Sequence, residues 1–457
     1  MKDIYFIAIG GVGQSALAKI LIKMGYRVSG SDLVESKYTK LVENLGAKVY
    51  IGQNPENIKG NPIVVISSAI KEDNPELKRA KELNLQIMHR SDCLKFISEH
   101  YENFIGLSGT HGKTTTSGMI AFLMEKMGIK PAYAIGGILP KLNVNADANK
   151  NSKYFIAELD ESDGTIQKYA PNYLLINNLE EDHLDYYKNG LADIISTFKK
   201  LVSNMKEDSF IFANVDNFGV REFLDGVKGR NIVSYGLNSK ADYTVKNIKY
   251  DELNTEFEVL KKGKSLGKVK LIIPGVHNVY NALGIIAVLD TIGFRFKDYV
   301  EYFAEFSGMG RRFQIVADVN DIKIIDDYAH HPTEIKSTLS ALKNSKRRKI
   351  AIFQPHRYTR FQGLWKEFLE SFEDVDKLYV LDVYSAGDLK IKDVDSEHFV
   401  QDFVNANIKP EAKYIEGTIA QAAKKIAPEL KKGDIVLTLG AGDITKIGGE
   451  INDLLAK

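Results

Sequence analysis

The stretch Phe104–Thr116, FIGLSGTHGKTTT, holds the residue types that handle polyphosphate. An apolar run meets Gly109 and Gly112, then Lys113, Thr114 and Thr115, and the helical pattern SGMIAFLMEKMG follows. At a strand–glycine turn–helix junction, backbone N–H groups of the turn and the helix N-terminus face an anion. A lysine adds a point charge there, and a threonine hydroxyl can hold Mg2+. Gly109, Thr110, His111 and Gly112 are the expected cradle, Lys113 the cation for the β- and γ-phosphates, and Thr114 or Thr115 the Mg2+ hydroxyl. The match to the general phosphate-loop pattern is incomplete, because Leu107 stands where its first glycine belongs. An ordinary strand-to-helix turn with a glycine-rich cap is the alternative. ATP is the first expectation.

A second Gly-rich turn opens the chain. The strand candidate IYFIAI runs into GGVGQSA, where Gly11, Gly13 and Ala16 fit G-x-G-x-x-G/A, and Asp32 follows about 20 residues on. Taken alone, this pattern suits a nicotinamide cofactor; a doubly wound sheet also binds other nucleoside diphosphates at the same crevice. Asp32 can reach a ribose hydroxyl or cap a helix. Ser68 ends a further strand candidate, IVVISSAI, whose small polar residues suit a crevice lining.

Acidic and His residues at other strand ends complete the constellation. YFIAEL carries Glu158 and runs into DESDG, and YLLINNL runs into EEDHLDYY with His183. Such groups converge on a nucleotide's metal, since Mg2+ takes oxygen ligands together with phosphate. Helix PGVHNVYNALG places Asn278 and Asn281 in its first turn, where they can meet an adenine edge or cap the helix. Farther on, KIIDDYAHHPTE and RKIAIFQPHRYTR are each a strand followed by a helix or loop. They put Asp327, Tyr328, His330, His356, Arg357 and Arg360 at the carboxyl edge of a sheet. Two arginines three apart suit a free α-carboxylate, which a guanidinium fork grips in bidentate fashion. A solvated basic loop is the alternative.

Strands alternating with helices predict an α/β protein with mostly parallel sheets, and the three Gly-rich turns predict three sheets in a row. At 457 residues the chain is too long for one core. The expected domains are 1–103, Rossmann-like; 104–307, central and P-loop ATPase-like; and 308–457, Rossmann-like. Residues 240–273 read as an antiparallel excursion. With Lys+Arg 61 against Asp+Glu 60, no global field recruits nucleic acid or an anionic membrane. The single cysteine, Cys93, excludes internal disulfides and a multi-cysteine metal site. No apolar run reaches the ~18–20 residues of a membrane span, and the N-terminus lacks the pattern of a signal peptide. A cytoplasmic protein without an obligate protein partner is expected.

In this order, GTHGKTTT, AELDESD, NNLEEDHLDYY, PGVHNVYNALG, GRRF, DDYAHHPTE and LGAGDI resemble the Mur ligases. These ATP-dependent enzymes form the amide bonds of the peptidoglycan stem peptide. The resemblance covers essentially the whole chain, and its specificity lies in the set of motifs. The paired histidines of DDYAHHPTE, FQPHRYTR and the N-terminal IGGVGQSALA are most similar to the members that join L-alanine to UDP-N-acetylmuramate. The resemblance implies domains that bind UDP-sugar, ATP and amino acid in that order. It gives Gly11, Gly13, Asp32 and Ser68 to the UDP-sugar and removes the nicotinamide. Glu158 and His183 then match metal and phosphate positions, and Asn278 and Asn281 the adenine side. Arg312 matches a γ-phosphate contact made as domains close, and Asp327 the ATP ribose side. Arg311 is expected to be a surface charge and Asp326 structural. Tyr328, His330, His356, Arg357 and Arg360 fall to the amino acid. Within enzymes, a ligase that recycles murein peptides is the alternative; outside ligases, a nicotinamide oxidoreductase or a nucleotide-binding regulator.

Overall fold

Short runs of β-branched and aromatic residues ending at glycine or small polar residues become strands. IYFI is Ile4–Ile7, IVVI is Ile63–Ile66 and YLLI is Tyr173–Ile176. The structure, a computed structural model, describes residues 3–140, 142, 144–184, 186–251, 254–343, 345–406 and 408–456. It divides into two compact units, one of residues 1–247, 257–269 and 280–303, the other of residues 248–256, 270–279 and 304–457. Among the described residues there are three sheets, as the three Gly-rich turns predict.

The first unit begins with a five-stranded parallel sheet in the order Lys48–Ile51, Val28–Asp32, Ile4–Ile7, Ile63–Ile66, Ile87–His89. A ten-stranded sheet follows. At its centre Asn103–Ser108 lies between Tyr154–Glu158 and Tyr173–Ile176, all parallel. The register pairs Leu107 with Glu158 and Ser108 with Ile176. The carboxyl ends of three adjacent strands therefore deliver the Gly109–Gly112 turn, the segment after Glu158 and the segment after Ile176 to one edge, where ligands bind in open α/β sheets. Helix Lys113–Lys126 packs behind that edge with Met119, Ile120, Leu123 and Met124 fully buried.

One hairpin was not visible in the sequence. Ala132–Leu139 pairs antiparallel with Val144–Asp147 at the sheet's edge, and Gly136-Gly137 interrupts the alternation that would have marked it. The expected excursion is present as Tyr243–Asp251, Asn254–Lys261 and Lys264–Leu271, at the opposite edge.

The second unit carries a six-stranded sheet, Gln314–Val319, Ile322–Asp327, Ile435–Leu439, Lys349–Phe353, Lys377–Leu381, Glu411–Ile415. Only the Gln314–Val319 edge strand is antiparallel. The carboxyl ends of its neighbours place Asp327, Gly440 and Gln354 side by side. Among the described residues, no single helix is long and apolar enough to cross a membrane.

A buried carboxylate ties the first sheet together. Glu76 is fully buried, and it accepts hydrogen bonds from Tyr5 Oη at 2.8 Å, Asn57 Nδ2 at 2.8 Å, Asn54 N at 3.1 Å and Ser31 Oγ at 2.5 Å. Truncation strands several buried donors, each costing about 1–3 kcal/mol. Glu76→Ala is therefore expected to speed amide hydrogen exchange in Ile4–Ile7 and Val28–Asp32 by at least about tenfold. Exchange in the six-stranded sheet should stay unchanged.

Candidate functional site

The phosphate-loop geometry follows from two glycines. Gly109 has φ +132° and Gly112, the N-cap of helix Lys113–Lys126, has φ +81°. A Cβ on Gly112 would lie 3.0 Å from both Asn177 Nδ2 and Asn281 Oδ1, so the turn has neither the dihedral nor the space for a side chain. Asn178 clamps the turn: its side chain accepts from His111 N at 2.7 Å and donates to His111 O, and its carbonyl accepts from Thr110 N. Thr110 Oγ1 accepts from Glu180 N at 2.9 Å, and the His111 ring lies 3.6 Å from the Glu180 carboxylate.

Lys113 and Thr114 are each held by an acid from the strand end beside them. The Lys113 ammonium donates to Gly109 O at 2.8 Å, Thr110 O at 3.2 Å and Glu161 Oε1 at 2.9 Å. Glu161 is 1% exposed; burial pushes its carboxyl up and Lys113 pulls it back. Thr114 Oγ1 donates to Glu158 Oε1 at 3.1 Å, and Glu158 Oε2 accepts from Gly136 N at 2.8 Å. The set Thr114 and Glu158 consists of hard oxygen donors, which fits Mg2+ bound through one or two protein oxygens plus phosphate. Thr115 lies in the same first helical turn. His183 adopts φ +53° in a tight turn, and its Nε2 lies 3.7 Å from Asp182 Oδ2. Among the described residues, no group of three or more His, Cys, Asp or Glu forms a ready metal cluster.

Asn281 Oδ1 accepts from Asn177 Nδ2 at 3.3 Å, which ties it to the strand beside the loop. Asn278 Nδ2 donates to Pro274 O at 2.7 Å at the start of its helix.

At the first sheet, Gly11 is the N-cap of Val12–Lys23 and has no side-chain cap. Asp32 Oδ2 accepts from Gly10 N at 2.8 Å. Asp32 thus braces the glycine turn and caps no helix; Ser36 caps the next one. Ser68 Oγ lies 3.0 Å from His89 Nε2, whose ring Nδ1 meets Ser91 Oγ at 2.8 Å. A Cβ on Gly13 would lie 3.3 Å from Arg90 Nη1. His89 and Arg90 were not singled out in the sequence, although MHRSD stands where a strand hands over to a helix. Arg90–Asp160 and Lys168–Asp92 ion pairs link this crevice to the strand ends of the ten-stranded sheet.

In the second unit the structure corrects one expectation. Arg311 is not a surface charge: its guanidinium donates to Gly440 O at 2.6 Å and to Ala441 O and Gly442 O, with Nε 3.4 Å from Asp326. The LGAGD turn exposes carbonyls that a guanidinium can gather, a need that nothing local to GRRF reveals. Asp326 accepts from Thr438 and Thr445 hydroxyls and is structural, as expected. Asp327 accepts from Phe313 N at 2.7 Å and Ala329 N at 2.8 Å; burial pushes its carboxyl up to about 6 against the pull of Arg312. Its visible work is to hold the two segments that carry Arg312 and Tyr328.

Arg312 and Arg311 flank the Tyr328 ring, at 5.3 and 4.8 Å, and Arg312 Nη1 lies 3.7 Å from Glu334. His330 meets Tyr328 O at 3.0 Å and packs edge-on against His356, ring centroids 5.6 Å apart. His356 stacks on Tyr384 and lies 3.2 Å from Arg360 Nη1. Arg357 is exposed with φ +67°, its amide bonded to Tyr384 O. Tyr328, His330, His356 and Arg360 are therefore brought together, and Arg357 stands at their rim. The sequence did not single out Tyr384, the platform under His356.

Models of known families match the chain in three consecutive stretches. These are the Mur ligase family catalytic domain over residues 3–102, the Mur ligase middle domain over 107–289, and the Mur ligase glutamate ligase domain over 311–442. A UDP-N-acetylmuramate–L-alanine ligase of Dictyoglomus turgidum is 42% identical over 98% of this chain and 96% of its own length. One from Geotalea daltonii is 39% identical over 100% and 98%. Among solved structures, the UDP-N-acetylmuramate–alanine ligase of Thermotoga maritima superposes with a TM-score of 0.83 at 28% identity, over 99% of each chain. A murein peptide ligase of Psychrobacter arcticus, at 22% identity and a TM-score of 0.69 over 99% of each chain, shares the fold.

The histidine pair yields a pH expectation. Burial, with His330 and Arg360 beside it, lowers the His356 imidazole to about 4. A histidine depressed in the fold contributes stability that is full above the unfolded value of ~6.5 and is lost as pH falls towards about 4. His356→Gln should therefore flatten the acid limb of the stability–pH curve between those values. Unfolding midpoints of both proteins across pH 4–7 check this; parallel curves would contradict it.

Proposed function

Because the chain belongs to the Mur ligase family, we propose that it is an ATP-dependent ligase joining L-alanine to the lactyl carboxylate of UDP-N-acetylmuramate. The observation that supports this most strongly is identity of 37–42% to relatives with that activity in their names, across nearly their full lengths. Family membership sets aside the nicotinamide reading of GGVGQSA. The step belongs to peptidoglycan precursor synthesis, in the cytoplasm and without an obligate protein partner. We place the domain boundaries at 103/104 and 307/308.

A carboxylate oxygen is a very poor leaving group, so carboxylate and amine do not condense in water at useful rates. In the proposed chemistry, the lactyl carboxylate oxygen attacks the γ-phosphorus of ATP and ADP leaves, giving an acyl phosphate. The L-alanine amine then attacks the acyl carbon and phosphate departs with the original carboxylate oxygen. Phosphoryl transfer asks the protein chiefly for in-line positioning and charge neutralisation. Lys113 supplies the side-chain cation, and Gly109, Thr110, His111 and Gly112 the turn around it. Thr114 and Glu158 would hold Mg2+, with Thr115 and His183 nearby in the assignment; the ion supplies further neutralisation of phosphate charge. We assign Asn278, Asn281, Arg312 and Asp327 to the nucleotide. Gly11, Gly13, Asp32 and Ser68 go to the UDP-sugar, through the glycine turn and the crevice beside it. Tyr328, His330, His356, Arg357 and Arg360 go to the amino acid, whose carboxylate the two arginines suit. Burial keeps the imidazoles of His330 and His356 neutral, so neither sets a positive charge against the substrate ammonium, which must lose its proton before the amine attacks.

Phosphate release from ATP tests this reading with a panel of UDP-sugars and amines. We expect release to require UDP-N-acetylmuramate and free L-alanine together, and a γ-linked tripeptide to replace L-alanine poorly. Lys113→Ala should lower turnover by roughly 10³-fold, as expected for a main electrostatic contact to a transferring group, with UDP-N-acetylmuramate binding retained. Efficient use of the tripeptide would point to the peptide-recycling ligase instead.

A further inference from the structure

An ammonium has three N–H donors, and in this loop the protein engages Lys113 three times, through Gly109 O, Thr110 O and Glu161 Oε1. A phosphate oxygen that takes a donor from Lys113 must displace one of these contacts. Two of them are neutral carbonyls; the third is a carboxylate 1% exposed, whose own charge repels phosphate. Glu161 cannot readily follow the lysine, because its carbonyl accepts from the buried Tyr187 hydroxyl and from Gly164 N. Its second carboxylate oxygen, Oε2, is buried without a hydrogen-bond partner, so the lysine is what neutralises the group. Glu158 holds the neighbouring Thr114 in the same manner, but through a hydroxyl, and keeps its other oxygen on Gly136 N.

We propose that Glu161 is a positioning residue for the transfer step. Its carboxylate fixes the Lys113 ammonium at the base of the phosphate loop. By sharing that cation, it holds the loop's affinity for polyphosphate below what the lysine alone would give. The inference rests on the reading of this loop as the ATP site and adds a role for an acid which that reading leaves unused. The consequence has a diagnostic sign. A purely structural ion pair, once broken, would loosen Lys113 and weaken nucleotide binding. A carboxylate that shares the cation and opposes the phosphates does the reverse.

The test is calorimetric titration of the full chain with ADP and Mg2+, together with ATP KM and kcat from phosphate release. Glu161→Gln keeps the shape and an oxygen for Lys113 but removes the charge. It is expected to lower the ADP Kd and the ATP KM by at least about fivefold, the scale of one charge at close range in a partly buried site. Turnover should fall, because the lysine is held less firmly. Should Glu161→Gln fold poorly, Lys113→Ala/Glu161→Gln, which leaves no unpaired buried charge, should bind ADP more tightly than Lys113→Ala alone. Unchanged or weaker ADP binding in either comparison, or a raised KM at constant kcat, would overturn the proposal. Failure of the parent protein to bind ADP would overturn the nucleotide reading and the proposal with it, so the two failures are distinguishable.

Discussion

The Lys113 ammonium has more negative and dipolar partners than room to move. Two loop carbonyls and the Glu161 carboxylate surround it, and it is 13% exposed. Removing one partner of such a buried pair costs about 3–5 kcal/mol, so the pair constrains the segments around it. The loop must turn back far enough for the carbonyls of Gly109 and Thr110 to reach the ammonium, which requires left-handed backbone at Gly109 and Gly112. Glu161 must arrive from the next strand at the same height, which requires the parallel register of Asn103–Ser108 with Tyr154–Glu158.

That register is also what assembles the rest of the site in the first unit. Parallel strands end on the same side, so successive strand–turn–helix units add functional groups to one edge without further constraint. Glu158 reaches Thr114, Asn177 reaches Thr116 and Asn178 reaches the glycine turn, because each lies at or just past a strand end paired with Leu107 or Ser108. The six-stranded sheet of the second unit repeats the device. Asp327, Gln354 and Gly440 end neighbouring strands, and Gln354 binds across to Asp443 and Ile444. Arg311 spans the same edge by gathering the carbonyls of Gly440, Ala441 and Gly442.

Much of this was legible because its signals are local. A strand running into GTHGKTTT fixes turn, cation and helix start within a few residues, and the acids after YFIAEL announce themselves at a strand end. What stayed hidden depends on partners remote in sequence. Glu161 lies 48 residues from Lys113 and only the register joins them; the sequence pattern points to Glu158 instead. Arg311 lies 129 residues from the Gly440 carbonyl it binds, and it looked like a surface charge. Asp32 had the spacing of a ribose ligand, yet its carboxylate turns back to the Gly10 amide. The hairpin at Ala132–Leu139 escaped notice because its strand contains two glycines where alternation should be.

The proposed reaction rests on the claim that ATP energy passes through the substrate carboxylate before the amide forms. It is tested most directly by oxygen transfer. UDP-N-acetylmuramate labelled with 18O in both oxygens of its lactyl carboxylate is turned over with ATP and L-alanine, and the released phosphate is analysed by mass. An acyl phosphate leaves one substrate oxygen on phosphorus, so each phosphate should carry a single 18O. Phosphate without label, formed alongside the amide product, would contradict the claim.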